Sequence, residues 1–417
     1  MAEIGHRCVS RGWEKDPSKA FLPNLTSMSW RLELFNDVDS TVVYLPMIPG
    51  PRLRKFWISP LDAIPTHESP KLVSDALTAC IDSHPLLQEF RIFGFHQSGW
   101  ESVLTCISTL ITRLPSLKHF FHIRSASEEA TIHLSQLSTL TNLAFVLPSA
   151  QNCSFLKGRG ELFPSLTLFN ITSPNLQVSK EFVDLVSSSA LINVGFRHDD
   201  VDATSAEIAS LLRSLSSRTT IQAISIEDFA CFEASSQPDP LRTLSSSDIT
   251  PLLKLSDLTQ LILEMKLGID LDDAIVTEMA KAWPRLIRLA ITPSKPLHGA
   301  PKVTLLGLLS LATHCPHLSS LQLAWHPHGG SREDVAKKIA SAPPPDRYRR
   351  WSAFLVYFWE PVGNVQSTAQ HLLDIFPTCF LYFNTQPVGR PTLESCQDWE
   401  CLRGLVRFFG QKRSAHQ

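Results

Sequence analysis

Apolar residues recur along this chain in one small pattern. Pro284, Leu286, Leu289 and Ile291 read Pro-x-Leu-x-x-Leu-x-Ile, and Pro316, Leu318, Leu321 and Leu323 repeat it, with Leu286 and Leu318 32 residues apart. The last apolar positions of each copy alternate with other residues, the two-residue period of a strand with one buried face. Ahead of each copy lies a stretch with helical spacing, 270–283 and 302–314. The unit is therefore helix, turn, short strand. The proline makes the turn. It disfavours α conformation in the residue before it (His84, Phe163, Trp283 and Cys315), so the helix ends there and extended chain begins.

The same unit runs through most of the chain. Its first apolar slot falls at Leu25, Leu53, Leu87, Leu117, Leu140, Leu166, Leu191, Ile221, Leu258, Leu286 and Leu318, in steps of 23 to 37 residues. Helices are expected over 98–113, 181–188 and 365–376. Thr204 and Glu207 form a capping box ahead of Ile208, Leu211, Leu212 and Leu215, which share one helical face. Asp270 is expected to cap the 270–283 helix, with Asp272 and Asp273 in its first turn, where the helix dipole favours acids. Two insertions, 228–247 and 326–350, interrupt the rhythm, and a strand at 354–358 resumes it. Residues 1–20 read as a polar tail, 21–417 as the repeat domain, and a helix over about 393–410 as its cap.

No unit of this size can bury its own apolar face, so neighbours must stack around a shared core. Strands pack about 4.7–4.9 Å apart and helices about twice that, so the strand side of such a stack is the shorter one. The expected fold is an α/β solenoid of about 12 units, a leucine-rich repeat horseshoe with parallel strands on its concave face and helices on its convex face.

Composition narrows the function. Hydrophobic residues make up 43% and charged residues 19%, enough apolar material for a continuous core. With 38 basic and 40 acidic residues the net charge is -2, which offers no general attraction for nucleic acid or an anionic membrane. Nine cysteines lie without Cys-x-x-Cys pairs, and no apolar run reaches membrane-spanning length. A cytoplasmic or nuclear protein is the expectation.

The chain has no phosphate-cradling Gly-x-x-x-x-Gly-Lys-Ser/Thr loop, no Gly-x-Ser-x-Gly elbow and no His-Glu-x-x-His helix. Gly158-Arg159-Gly160 reads as a turn. His314, Cys315 and His317, with His326 and His328, straddle a helix end and a loop and read as ordinary residues there, since zinc requires about four converging ligands. The acidic groups at Asp37/Asp39, Asp199/Asp200/Asp202 and Asp272/Asp273 read as loop and capping residues. No enzyme, metal or cofactor is expected.

A partner would meet the strand face. Alternation places Lys55 and Trp57, Glu89 and Arg91, and His119 and Phe121 on it, with Phe93 two residues beyond Arg91. Trp57, Arg91, Phe93 and Phe121 then neighbour one another on adjacent strands. Tryptophan, tyrosine and arginine dominate interaction hot spots, so these residues form the expected partner site. The competing reading slips the register by one residue and buries Trp57 and Phe121; His122, which the regular pattern places inside, is what suggests it.

The Pro-x-Leu-x-x-Leu-x-Leu strands with helical linkers resemble the leucine-rich repeat half of fungal F-box proteins over roughly residues 21–410. The asparagine that closes many such repeats is mostly absent. The resemblance implies a non-catalytic scaffold that recognises the substrate of an F-box-type ubiquitin ligase. In that family an F-box docks a Skp-type adaptor and cullin; residues 1–20 carry no Leu-Pro-x-Glu opening, so those partners require an F-box supplied upstream. The alternative is a stand-alone repeat protein that binds or regulates a partner outside the ubiquitin system.

Overall fold

The computed structural model describes residues 22, 24–31, 51–59, 69–93, 100–147, 153–198, 203–228, 243–265, 268–293, 301–326, 337, 341, 353–356, 365–376 and 381–383. Contacts divide the chain into two compact units, 1–173 with 184–191, and 174–183 with 192–417. Both are α/β and built from the helix, turn and parallel strand read from the sequence. The tail 1–20 and the 393–410 helix lie outside the described residues.

The first unit carries β1 (Ser27–Arg31), β2 (Lys55–Ser59), β3 (Glu89–Ile92), β4 (His119–Ser125), β5 (Asn142–Val146) and β6 (Leu168–Ser173), parallel and side by side in chain order. Helices α1 (Ser69–Asp82), α2 (Glu101–Ile111) and α3 (Glu128–Gln136) connect them. Register aligns Met28, Phe56, Phe90, Phe120, Leu143 and Phe169 across all six strands. All six side chains are buried. The Phe56 and Phe90 rings stack with centroids 5.9 Å apart, and Phe90 and Phe120 follow at 6.4 Å. Val73, Leu77, Val103, Ile107 and Leu134 bury the helical side of this core.

The second unit contains most of α4 (Leu176–Leu185), then β7 (Asn193–His198), α5 (Ser205–Ser216), β8 (Ala223–Asp228), β9 (Thr243–Ser245), α6 (Ser246–Ile249), β10 (Gln260–Met265), β11 (Gly268–Asp270), α7 (Asp273–Ala282), β12 (Arg288–Pro293), α8 (Leu305–His314), β13 (Ser320–Leu323), β14 (Ala353–Val356), α9 (Val365–Ile375) and β15 (Leu381–Phe383). Strands β7, β8, β10, β12, β13, β14 and β15 form a parallel sheet in that order, and β9 pairs separately with β11. Here the aligned core is mainly aliphatic: Val194, Ile224, Leu261, Leu289 and Leu321 in one row, with Phe196, Ile226, Leu263, Ile291 and Leu323 in the next.

Where a helix runs into a proline, the proline mechanism holds: Trp283 (φ -119, ψ 64) and Cys315 (φ -109, ψ 77) have left the α region. No helix ends at Phe163, which takes φ 52 in the turn before Pro164. The amides of Leu87, Leu166, Leu286 and Leu318 donate back to the carbonyls of His84, Phe163, Trp283 and Cys315. Each Pro-x-Leu is thus a β-turn with proline at its second position, where a fixed φ is preorganised.

The carbonyl just after each first apolar slot accepts two successive amides from the next repeat. Thr26, Arg54, Gln88, Lys118 and Thr141 do so in the first unit, and Ile192, Gln222, Thr259 and Ile287 in the second. The hydroxyls of Thr141, Thr167, Thr259 and Ser319 bond the same carbonyl row. Backbone groups entering the strands are therefore satisfied without an amide side chain.

Several local expectations shift. Asp272, not Asp270, caps α7 by accepting from Ile275 N at 2.9 Å, while Asp270 ends β11 and pairs with Lys302 at 2.7 Å. Aspartate suits an N-cap at any of these neighbouring positions, and the β9–β11 pairing holds Asp270 in a strand. The expected 181–188 helix instead spans Leu176–Leu185, and the helix before β13 starts at Leu305 rather than 302. The Thr204/Glu207 capping box is formed as read. Gly158 and Gly160 take φ 77 and 82, turn conformations that favour glycine. Among the described residues, no helix is long and apolar enough to cross a membrane.

Candidate functional site

Strands β2, β3 and β4 bring the expected partner residues together within the first unit. Alternation sends Phe56, Ile58, Phe90, Ile92, Phe120 and His122 to the helical side, all buried. Lys55, Trp57, Arg91, Phe93, His119 and Phe121 keep exposure on the opposite face. Register sets Lys55 beside Glu89 and Glu89 beside His119, and likewise Trp57 beside Arg91 and Arg91 beside Phe121. Phe93 N donates to Ile58 O at 2.9 Å, which carries the same geometry one residue past β3. Trp57 and Phe121 are half-buried and His122 is 1% exposed, so the register is the regular one rather than the slipped one.

Glu89 organises the face, a role its strand position alone did not reveal. It is 4% exposed although it lies on the side away from the helices. Its carboxylate accepts the Trp57 indole N–H at 2.9 Å, meets Arg91 Nε at 2.6 Å and lies 3.4 Å from Lys55 Nζ. Burial pushes the Glu89 carboxyl up, but Arg91, the Trp57 N–H and Lys55 together outweigh it and hold it below its ordinary value. The Arg91 guanidinium lies over the Trp57 ring, 4.8 Å from its centroid. Beside it Phe93 and Phe121 pack at 4.9 Å with a 38° tilt. Burial holds His119 below its usual range despite the Glu89 charge, with Arg91, Lys55 and Lys118 adding to the effect.

A carboxylate with a lowered folded value stabilises above its unfolded value near 4.5 and loses that contribution as the pH falls through the folded value. Glu89→Gln should therefore melt below the wild type at pH 7, and the two curves should converge in acid. A constant difference down to about pH 3 would show that the charge is not what holds the cluster.

The sheet of the second unit offers a different face. Arg197 pairs with Glu227 at 3.2 Å, and Ser225 Oγ donates to the same carboxylate at 2.7 Å. Burial raises the Glu264 carboxyl, Glu227 adds to this, and Arg288 opposes it. Ala290 on the same sheet is buried. Among the described residues no group of His, Cys, Asp or Glu side chains is placed to hold a metal ion. Cys315 is buried, its Sγ 3.5 Å from the carbonyls of Ala280 and Trp283. Asp37, Asp39, Asp199, Asp200, Asp202 and His328 lie outside the described residues. Compared with known proteins, the chain matches no family model and no curated protein.

Proposed function

We propose that this chain is a non-catalytic leucine-rich repeat scaffold of horseshoe form that grips a protein partner on the strand face of its first unit. We further propose that it serves as the substrate-recognition part of an F-box-type ubiquitin ligase. One observation carries the docking face: a stacked Trp57–Arg91 pair and a Phe93–Phe121 pair lie together, half-exposed, on the face opposite the helices. Rigid aromatic and arginine side chains of this kind supply most of the energy of protein interfaces. The ubiquitin-ligase role rests on the resemblance of the repeats alone.

Affinity purification of the full chain from its native cells tests both. A stoichiometric Skp-type adaptor and cullin support the ligase role; a different stoichiometric partner without them favours a stand-alone binding protein. No stoichiometric partner overturns the scaffold reading. The double variant Trp57→Ala with Phe121→Ala should weaken the partner by about 2–4 kcal/mol, roughly 30- to 1,000-fold. Its melting temperature should stay well above that of Phe90→Ala, where losing a buried ring costs about 3–5 kcal/mol. Equal melting losses would place Trp57 and Phe121 in the core instead.

A further inference from the structure

We propose that the face formed by Trp57, Arg91, Phe93 and Phe121 takes an internal acidic segment of the partner polypeptide. A side-chain carboxylate would meet Arg91, and an adjoining apolar side chain would rest on Phe93 and Phe121. This rests on the docking reading above and specifies its chemistry.

The charge balance of the face points to an anion. On the outer positions of β2, β3, β4 and β5 the acidic side chain is Glu89 alone. Its charge is buried and already answered by Arg91, the Trp57 N–H and Lys55. Lys55 remains 54% exposed, Arg91 38%, and Lys118 is exposed beside them. The face thus presents more cationic than anionic charge to solvent.

Arg91 is also oriented for a carboxylate. Glu89 holds its Nε edge and Trp57 supports its plane. The guanidinium is thus held between the Glu89 carboxylate and the Trp57 ring while its side chain stays 38% exposed, which limits the freedom left to lose on binding. A planar fork held this way matches a carboxylate in a paired, charge-assisted geometry. Register puts Phe121 directly beside Arg91, so the carboxylate site adjoins the apolar floor.

The flanks favour an internal segment over a chain end. Ser29 neighbours Trp57 on one side, and Ala144 neighbours Phe121 on the other. Both are small, so a bound chain can continue past the patch in either direction. Nucleic acid fits less well. Trp57 spends a ring face on Arg91, and Phe93 and Phe121 are turned onto each other, which leaves no platform for successive bases.

The test uses the full chain and a set of short labelled peptides. Each carries one Asp or Glu next to one Leu or Phe, with matched Asn/Gln, Lys and phosphoserine versions, and a single-stranded oligonucleotide serves as a further probe. The acidic peptides should bind at least about tenfold more tightly than their amide counterparts, and added salt should weaken them. Arg91→Gln should bring that ratio close to one. Arg285→Gln, which breaks an exposed pair with Asp257 in the second unit, should leave it unchanged. Equal binding of acid and amide, preference for phosphoserine or the oligonucleotide, or no peptide bound at all overturns the proposal. A cellular partner retained by Arg91→Gln but lost by the Trp57/Phe121 double variant overturns it while leaving the docking face intact.

Discussion

Replacing His122 with leucine should stabilise the protein, and by more at pH 5 than at pH 8. His122 sits on the helical side of β4, in register with Ile92 and, through it, Ile58. It is 1% exposed, and among the described residues neither ring nitrogen has a hydrogen-bond partner. Its surroundings are the Phe120 ring, at 6.0 Å, and the aliphatic row. Burial drives the imidazole pKa from 6.5 down to about 4; the Arg124 backbone opposes this, and the Arg124 charge adds to it. Between those values the unfolded chain takes up a proton that the folded chain excludes, so the wild type loses stability as the pH falls from about 6.5 towards 4. A leucine has no such loss. At pH 8 the gain comes from removing an unsatisfied buried polar ring, about 1–3 kcal/mol. At pH 5 the proton linkage adds about 2 kcal/mol more. Urea unfolding of both proteins at both pH values measures the difference. A gain independent of pH would mean that the ring is not excluded from protonation, and a loss at pH 8 would mean that its nitrogens are bonded in the fold.

His122 also marks how far the sequence could be read. Alternation is local information, and it placed Phe56, Phe90, Phe120 and His122 on one side and Trp57, Arg91 and Phe121 on the other. The pre-proline residues told where helices stop, because the steric clash that ends them lies between adjacent residues. Other features depend on partners about 30 residues away. Glu89 reads as one exposed position among several until Lys55 and Trp57 of β2 are brought beside it. The carbonyl row that links successive repeats has no side-chain signature at Arg54, Gln88 or Ile287, since the backbone does the work. The starts of α1 and α3 are marked in sequence, by Pro70 in the first turn of one and by the Ser127 cap ahead of Glu128 and Glu129 in the other, but α3 has only nine residues and α1 follows Pro60 and Pro65 closely. The β9–β11 pair was hidden in a stretch whose serines and prolines favour a loop. Asp270, Asp272 and Asp273 were indistinguishable as caps in sequence, and the fold gives each a different task.

Asp273 has the task with the largest expected consequence. It lies in the first turn of α7, yet it satisfies the start of α8 in the following repeat. Its Oδ1 accepts from Thr304 N at 2.7 Å and Gly307 N at 2.9 Å, and its Oδ2 accepts from Thr304 Oγ1 at 2.6 Å. Thr304 Oγ1 in turn accepts from Leu306 N at 3.1 Å. Opening amides of α8 are thereby bonded, two of them by a carboxylate from another helix. Gly307 makes this possible, because a Cβ there would lie 2.6 Å from Asp273 Oδ1 and 3.1 Å from Val303 Cγ1. Asp273→Ala should cost about 2–4 kcal/mol, since it orphans donors in a part-buried site. Gly307→Ala should cost a similar amount by displacing the same carboxylate, despite the better helix propensity of alanine. The two losses should not add. Once Asp273 is alanine, the oxygen that a Gly307 methyl group would strike is gone, so the double variant should be scarcely less stable than Asp273→Ala alone. Urea unfolding of the four proteins in this cycle reads the coupling directly, and additive losses would show that the carboxylate and the glycine act independently.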